Sequence, residues 1–378
     1  VTTSQISLPS PRTWAANDLV TVPRLRADAV DAIAFLLQRP TFAGQVTTGK
    51  SYASGSDLPL FLDSEIIDNW NGHQPGTAVN GTQNPAAYYC QVPGWYLCRS
   101  APAFQYTSAT QAAFAGSLEG LSNGGSFGPS RGQLVLDGST NPPVAQCIDL
   151  VKLVITGPPG GSGDYVQFDA LQTSGGSVNL VSAATQLPAG SARWVCAVSG
   201  TQPLPVPPLT AVPSPITHAW LNADVRDTIE YLIYPPILRA IYTAGSTTLP
   251  SQSLPAGTAC PLNTITIDNY GAFNASTFTY TAPVAGRYLV AGQVNLAASA
   301  ASTSYKCGVN VNGGTTQWGD DVNKVSDSTG GGAGVVKRLR LSANDTVQLF
   351  ASQGSGGAVA FNANAANRTR LVVVWEGS

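Results

Sequence analysis

Methionine is missing from the 378-residue chain, and histidine occurs only twice, at His73 and His218. With so few imidazoles, a catalytic triad or a histidine-rich metal site has little to be built from. Charge is scarce as well: 11% of residues are Asp, Glu, Lys or Arg, and the net charge is −2. Such a chain has no basic field to attract nucleic acid or anionic lipid. No run approaches the roughly 20 apolar residues of a membrane-spanning helix, so membrane insertion is not expected. The opening VTTSQISLPSP lacks the basic start and apolar stretch of a secretion signal. The six cysteines form no C-x-x-C pair or Cys/His cluster, which argues against zinc, and no cofactor is expected. Cys307 alternates with Tyr305, Val309 and Val311 and reads as a small buried hydrophobe. Cys90 and Cys98 sit in or beside one strand, too far apart to bond each other.

What the chain has in quantity is glycine (39), proline (27) and 43% hydrophobic residues. Turn formers between short runs of Val, Thr and aromatic residues indicate an all-β protein, and the length allows two or three domains. Internal repetition decides the number. "LRADAVDAIAFLLQRP" (Leu25 to Pro40) returns as "LNADVRDTIEYLIYPP" (Leu221 to Pro236). In the second copy Leu221, Val225, Ile229 and Leu232 recur at helical spacing, and Pro235-Pro236 closes the helix. So short a helix is marginal alone and needs a surface to dock on.

The repetition runs on through the strands. "IIDNW" (Ile66 to Trp70) matches "TIDNY" (Thr266 to Tyr270), and "QVPGWYLC" (Gln91 to Cys98) matches "PVAGRYLV" (Pro283 to Val290). "GDYVQF" (Gly163 to Phe168) pairs with "NDTVQL" (Asn344 to Leu349), and "RWVCAVSG" (Arg193 to Gly200) is set against "RLVVVWEG" (Arg370 to Gly377). Tyr305 to Val311 alternates as a strand and ends in the hairpin signal Asn312-Gly313. Leu371 to Trp375 reads as a central strand. The expected plan is an arm and docking helix at 1–40, a first strand module at 41–200, a proline-rich linker with the second helix at 201–236, and a second module at 237–378.

Several motifs imitate chemistry. "GQVTTGKS" (Gly44 to Ser51) fits the phosphate-loop pattern at every fixed position. A helix precedes it rather than a strand, Gly55 and Pro59 forbid a helix after it, and the second copy has Ser246 where Lys50 stands. The stretch is an architectural turn. Gly124-Gly-Ser-Phe-Gly128 fits the hydrolase elbow, but its surroundings have loop composition and no argued histidine partner. Asp320, Asp321 and Asp327 miss calcium-loop spacing and read as a solvated loop. Trp70, aligned with Tyr270, reads as core. Trp95, aligned with Arg287, reads as exposed; with Trp318 and the loop aromatics Tyr88 and Tyr89 it is a candidate for host contact by stacking on a glycan or protein.

Two resemblances attach to these residues. The segments around both helices, with Leu221, Asn222, Arg226 and Asp227 in the second and Arg26 and Val30 departing in the first, resemble the leader of minor tail proteins of actinobacterial bacteriophages. The motifs Pro283-Val-Ala-Gly286-Arg-Tyr288 and Asp345-Thr-Val347-Gln-Leu349 are similar to those of the complement and tumour-necrosis-factor jelly rolls, with Gly94, Tyr96, Asp164 and Val166 as first-module matches.

The resemblances imply two tandem jelly-roll β-sandwiches, each preceded by a short amphipathic helix, associating as a homotrimer and carrying no catalytic residue. They imply a virion structural protein of the tail, baseplate or capsid surface that docks on other virion proteins. Its docking residues would be Trp14, Leu25, Ile33, Leu36, Leu37, Leu221, Val225, Ile229 and Leu232. Binding of a host-envelope glycan or protein is the alternative, and a cell-wall hydrolase ranks last.

Overall fold

The computed structural model describes residues 13–16, 18–19, 21–25, 29–47, 49–55, 57–73, 86–105, 112–136, 146–158, 162–180, 188–198, 218–252, 256–297, 303–319, 322–324, 331–363 and 368–377. The proline-rich linker, the three loop aspartates and most of the arm before Thr13 lie outside them.

Two antiparallel sandwiches account for the strands. In the first, one sheet runs in the order β10 (Cys147–Leu153), β6 (Gly94–Ser100), β13 (Gly190–Cys196), β1 (Thr41–Gln45), β4 (Ser64–Asp68). Facing it is the order β3 (Leu58–Pro59), β11 (Tyr165–Gln172), β8 (Ala112–Ser122), β9 (Gly125–Leu136), with β5 (Ala87–Tyr89) also on β11. A small third sheet joins β2 (Ser51–Tyr52), β12 (Val178–Leu180) and β7 (Phe104–Gln105). The second sandwich repeats the first sheet's order as β24 (Gly331–Leu341), β20 (Gly286–Leu296), β27 (Arg370–Gly377), β14 (Ile237–Ile241), β17 (Thr264–Asp268). Opposite it stand β18 (Phe273–Asn274), β19 (Thr279–Thr281), β25 (Thr346–Gln353), β21 (Thr303–Val311) and β22 (Gln317–Trp318). Strands β16 (Thr258–Ala259) and β23 (Val322–Lys324) pair with β25 and β21, and β15 (Thr248–Leu249) pairs with β26 (Val359–Ala360). Two facing sheets in this non-sequential order are jelly rolls.

The shared motifs have mechanical causes. In each module a glycine opens the second-listed strand of its sheet, β6 or β20, because a tryptophan crosses it: a Cβ on Gly94 would overlap the Trp194 indole, and one on Gly286 the Trp375 indole. The tyrosine two positions on bonds back to the loop, Tyr96 to the Val92 carbonyl and Tyr288 to the Val284 carbonyl, each at 2.7 Å. Asp164 accepts backbone N–H bonds from Asn123, Gly124, Val154 and Ile155 at 2.7–3.1 Å. Its counterpart Asp345 accepts from the Asn312 amide and the Ser342 N–H, both at 2.7 Å. The Asn of the shared Ile-Asp-Asn step ties helix to strand: Asn69 accepts from the Thr41 N–H and donates to Arg39, as Asn269 accepts from Ile237 and donates to Pro235.

These pairings correct one alignment. Trp194 and Trp375 are structural equivalents: their backbone N–H groups donate to the Pro40 and Pro236 carbonyls, and both strands bulge one residue later. Arg193 therefore stands opposite Val374, and not Arg370. Matching the two arginines had aligned like residues that occupy different places.

The leader segments are helical in pieces: α1 (Val22–Leu25) and α2 (Asp31–Leu37) in the first; α3 (His218–Trp220), a wider-wound turn at Leu221–Arg226, and α4 (Asp227–Ile233) in the second. Each packs on its own sandwich through an aromatic triad. Phe35 meets Trp194 edge-on at 5.0 Å and Trp70 at 6.1 Å; Tyr231 meets Trp375 at 5.1 Å and Tyr270 at 6.2 Å. Ring pairs in this geometry contribute about 0.5–1.5 kcal/mol beyond their burial.

Two further expectations change. "GGSFG" is not loop: it begins β9 of a long hairpin whose turn, Asn123-Gly124, has positive φ at both residues (52° and 72°). His73 has a partner after all. Its Nδ1 lies 2.8 Å from Glu65 Oε1 and its ring stacks on Phe42 at 4.4 Å, inside the core. A third expectation changes in part: a strand, β1, does lead into "GQVTTGKS", but the stretch enters β2 with no helix after it, and the Lys50 ammonium lies 4.9 Å over the Phe61 ring. Cys307, as expected, is fully buried. All six cysteines are buried thiols, and burial pushes them up, Cys90 and Cys196 to about 12 and Cys147 to about 11.

Candidate interaction surfaces

The two modules meet asymmetrically. From the first come Trp95, Leu150, Val195 and Cys196; from the second come Ile237, Leu289, Ala291, Val372 and Val374, and together they form one buried cluster. Beside it lies an ion group. Asp149 Oδ1 and Oδ2 accept from Arg239 Nε and Nη2 at 2.6 and 2.8 Å, and Arg370 Nε stands 3.7 Å from Oδ2. Arg370 also donates to the Ile148 carbonyl at 3.3 Å and to Cys147 Sγ at 3.0 Å. The contact with Arg239 is two-pronged, and the Asp149 and Arg370 side chains, 2% and 3% exposed, are desolvated. Burial disfavours the Arg239 charge, but the facing Asp149 carboxylate outweighs it and raises its pKa.

The shared registers Gly94↔Leu153 and Gly286↔Leu341 show what each module offers at equivalent places. The first contributes an edge: Trp95, Leu150 and Val195. At those places the second has Arg287, Arg338 and Glu376. The second contributes a face carrying Arg239, Ala291, Arg370 and Val374. At those places the first has Ala43, Arg99, Ala189 and Arg193. The contact is thus edge to face, with a different patch on each side.

The leaders also cross. Asn222 Oδ1 accepts from the Trp14 N–H at 2.7 Å, its Nδ2 donates to the Trp14 carbonyl at 2.8 Å, and Arg226 Nη1 donates to Thr13 Oγ1 at 3.0 Å. Ile229 and Ile233 of α4 are buried in the first module's core cluster, and the Ala197 N–H donates to the Ile233 carbonyl. The second leader is therefore a clasp over the first module.

These contacts place the expected docking residues. Trp14, Leu221 and Ile229 are 2–4% exposed, buried against the chain itself, so they have no surface to give a partner. Val225, Leu232 and Leu36 are half-buried. Ile33 and Leu37 are open, at 50% and 80%, and with Val30 at 55% they line one side of α2. Leu25 closes α1, and its side chain lies outside the described ones.

The expected host contacts fare differently. Trp95 is 6% exposed, because the second module covers the place that Arg287 leaves open in its own. Tyr88 and Tyr89 are strand residues, buried on Phe42 and Tyr165 and not in a loop. Trp318 is half-buried; a Cβ on Gly257 would come to 2.6 Å from its ring. Sequence reasoning missed Arg287, Arg338 and Arg340, which with Leu339 line a surface hollow of about 250 Å³. Their alternation with buried Leu339 and Leu341 was the available signal. Among the described residues no three His, Cys, Asp or Glu side chains gather as metal ligands, and no helix is long and apolar enough to cross a membrane.

No protein-family profile and no curated protein sequence matches the chain. Among solved structures it is similar to the globular domain of zebrafish complement 1qA at 12% identity, over 38% of this chain and 99% of that one, with a TM-score of 0.28. Murine APRIL gives 12% identity over 37% and 98%, and the Eiger TNF of S. frugiperda 12% over 38% and 94%, each with a TM-score of 0.28.

Proposed function

We propose that the chain is a non-catalytic structural protein of a bacteriophage particle, in its tail, baseplate or outer surface, anchored by the first leader and holding both jelly rolls outward. The observation that carries this is the apolar side of α2. Ala32 and Phe35 are spent on the chain's own core, while Val30, Ile33 and Leu37 face solvent. Their counterparts Ile229 and Ile233 on α4 are seated on a neighbouring module. The same stripe is used once inside the chain and left over once, which suits docking on another virion protein or on copies of itself as a homotrimer. The leader resemblance supports the phage assignment. Gradient-purified particles of the encoding phage should contain the chain by mass spectrometry, and gold-labelled antibody should mark one location. Its absence from particles overturns the reading, and a one-chain mass by sedimentation overturns the trimer.

A second reading, contact with a host-envelope glycan or protein, is favoured by the arginine hollow. Pull-down on host-envelope fragments tests it, and release of soluble product from cell-wall polymer would instead indicate a hydrolase.

A further inference from the structure

The edge of the second module that corresponds to the first module's gripping edge is cationic, and its arginines Arg287, Arg338 and Arg340 are exposed. Arg287 and Arg340 stand directly opposite each other on β20 and β24, and Arg338 shares their outward side. Like charges so placed oppose strand pairing. One carboxylate, Glu376, accepts from Arg338 Nε and from Arg193 Nη2, both at 3.1 Å, and neither Arg287 nor Arg340 has an ion-pair partner among the described residues. Arg338 is 75% exposed.

A second copy of the chain does not fit this edge in the way that the second module fits the first. The face it would meet has Ala43 and Ala189 in place of Arg239 and Arg370, and Arg99 and Arg193 in place of Ala291 and Val374. Arginine would be set against arginine. An acidic protein surface is also a poor match, since a stable protein contact buries about 800 Å² a side around apolar or aromatic anchors. Here the one apolar residue lining the hollow, Leu339, is itself buried. What suits the hollow is a compact group with several acceptor oxygens, which guanidinium forks bind in pairs.

We propose that the Arg287–Arg338–Arg340 hollow is an oxyanion-binding site, taking phosphate or carboxylate groups, free or carried on a sugar polymer. Binding relieves the opposed arginines and does not depend on the particle assignment.

Isothermal titration of the full chain with sodium phosphate, oligogalacturonate and poly-glutamate tests this, beside the R287Q/R340Q variant and an R24Q control. Phosphate or oligogalacturonate should bind the parent and R24Q alike, weaken as salt rises from about 50 to about 200 mM, and bind R287Q/R340Q at least about tenfold more weakly. Oligogalacturonate tighter per anionic group identifies a polymer-borne ligand, and equal affinity identifies the free oxyanion; either supports the site. The variant removes a like-charge pair, so it should melt no lower than the parent, which separates lost binding from lost folding. Absence of binding, equal binding by the variant, or a preference for poly-glutamate over both other probes overturns the proposal.

Discussion

Asp149 and Arg239 meet across the module boundary at 2.6 and 2.8 Å, with Arg370 Nε 3.7 Å from Oδ2 of the same carboxylate. Removing the acid leaves two guanidinium groups in a site that water barely reaches. Breaking such a pair from one side costs about 3–5 kcal/mol, most of it the stranded charge. Asp149→Ala should therefore lower the calorimetric melting temperature and split one transition into two as the modules uncouple. Adding Arg239→Met to the variant should recover part of the loss. A single unshifted transition in D149A would show that the apolar cluster and the second leader's clasp join the modules without the ion group.

Gly94 and Gly286 give way to tryptophan indoles, whose N–H groups reach the Pro93 and Ala285 carbonyls at 3.2 and 3.4 Å. Gly94→Ala and Gly286→Ala should each cost about 1–3 kcal/mol by overpacking, with backbone strain added at Gly286, whose φ is +155°, read as a lower urea midpoint. Gly175→Ala is a different case: nothing lies near its Cβ, and its loss comes only from φ of +82°. It should cost less than either. Equal losses at all three positions would mean that the indole crossing is not what demands glycine.

Much of this plan was legible in the sequence because the duplicated motifs are local. The Pro-x-x-Gly-x-Tyr step and the Asp-x-Val-Gln strand each serve a turn or a crossing within their own sandwich, so spacing preserves them. The last strand misled because Arg193 and Arg370 look alike, whereas a bulge and a tryptophan fix its true register. Trp95 misled for another reason. Its burial is imposed by the other module, so its alignment with Arg287 says nothing about its exposure. The buried glutamines went unnoticed although they repeat: Gln172 donates to the Tyr52 and Gly176 carbonyls, and Gln353 to those of Leu249 and Gly357. A polar residue inside a strand pattern announces no partner until the loops are in place.

Asp164 is 1% exposed, and its carboxylate collects four backbone N–H donors. Burial alone would raise its pKa; the donors from Gly124, Val154, Ile155 and Asn123 outweigh that and hold it below the usual carboxylate range. A depressed folded-state pKa means stability that is complete above the unfolded value of about 3.9 and is lost as pH falls through the folded one. Asp164→Asn should destabilise the chain by about 2 kcal/mol at neutral pH. The gap between variant and parent should shrink in urea titrations below about pH 4. A gap that stays constant down to the lowest pH would assign the effect to shape rather than charge.

Ile33 and Leu37 on α2 occupy the places that Ile229 and Ile233 hold on α4, yet the first pair is open and the second is closed over by the first module. The same substitution should therefore have opposite consequences. Ile33→Glu with Leu37→Glu changes only solvent-facing side chains, so melting should move by no more than about 0.5 kcal/mol. Ile229→Glu with Ile233→Glu forces carboxylates into a closed core and should unfold the first module or detach the second leader from it. If α2 is the anchor, the first pair of changes abolishes incorporation into particles while leaving the soluble chain intact by circular dichroism. Normal incorporation of the I33E/L37E chain would move the anchor elsewhere on the molecule. Destabilisation by that pair would mean that the stripe is closed in solution, and the clasp made by the second leader would then be the rule for both helices rather than for one.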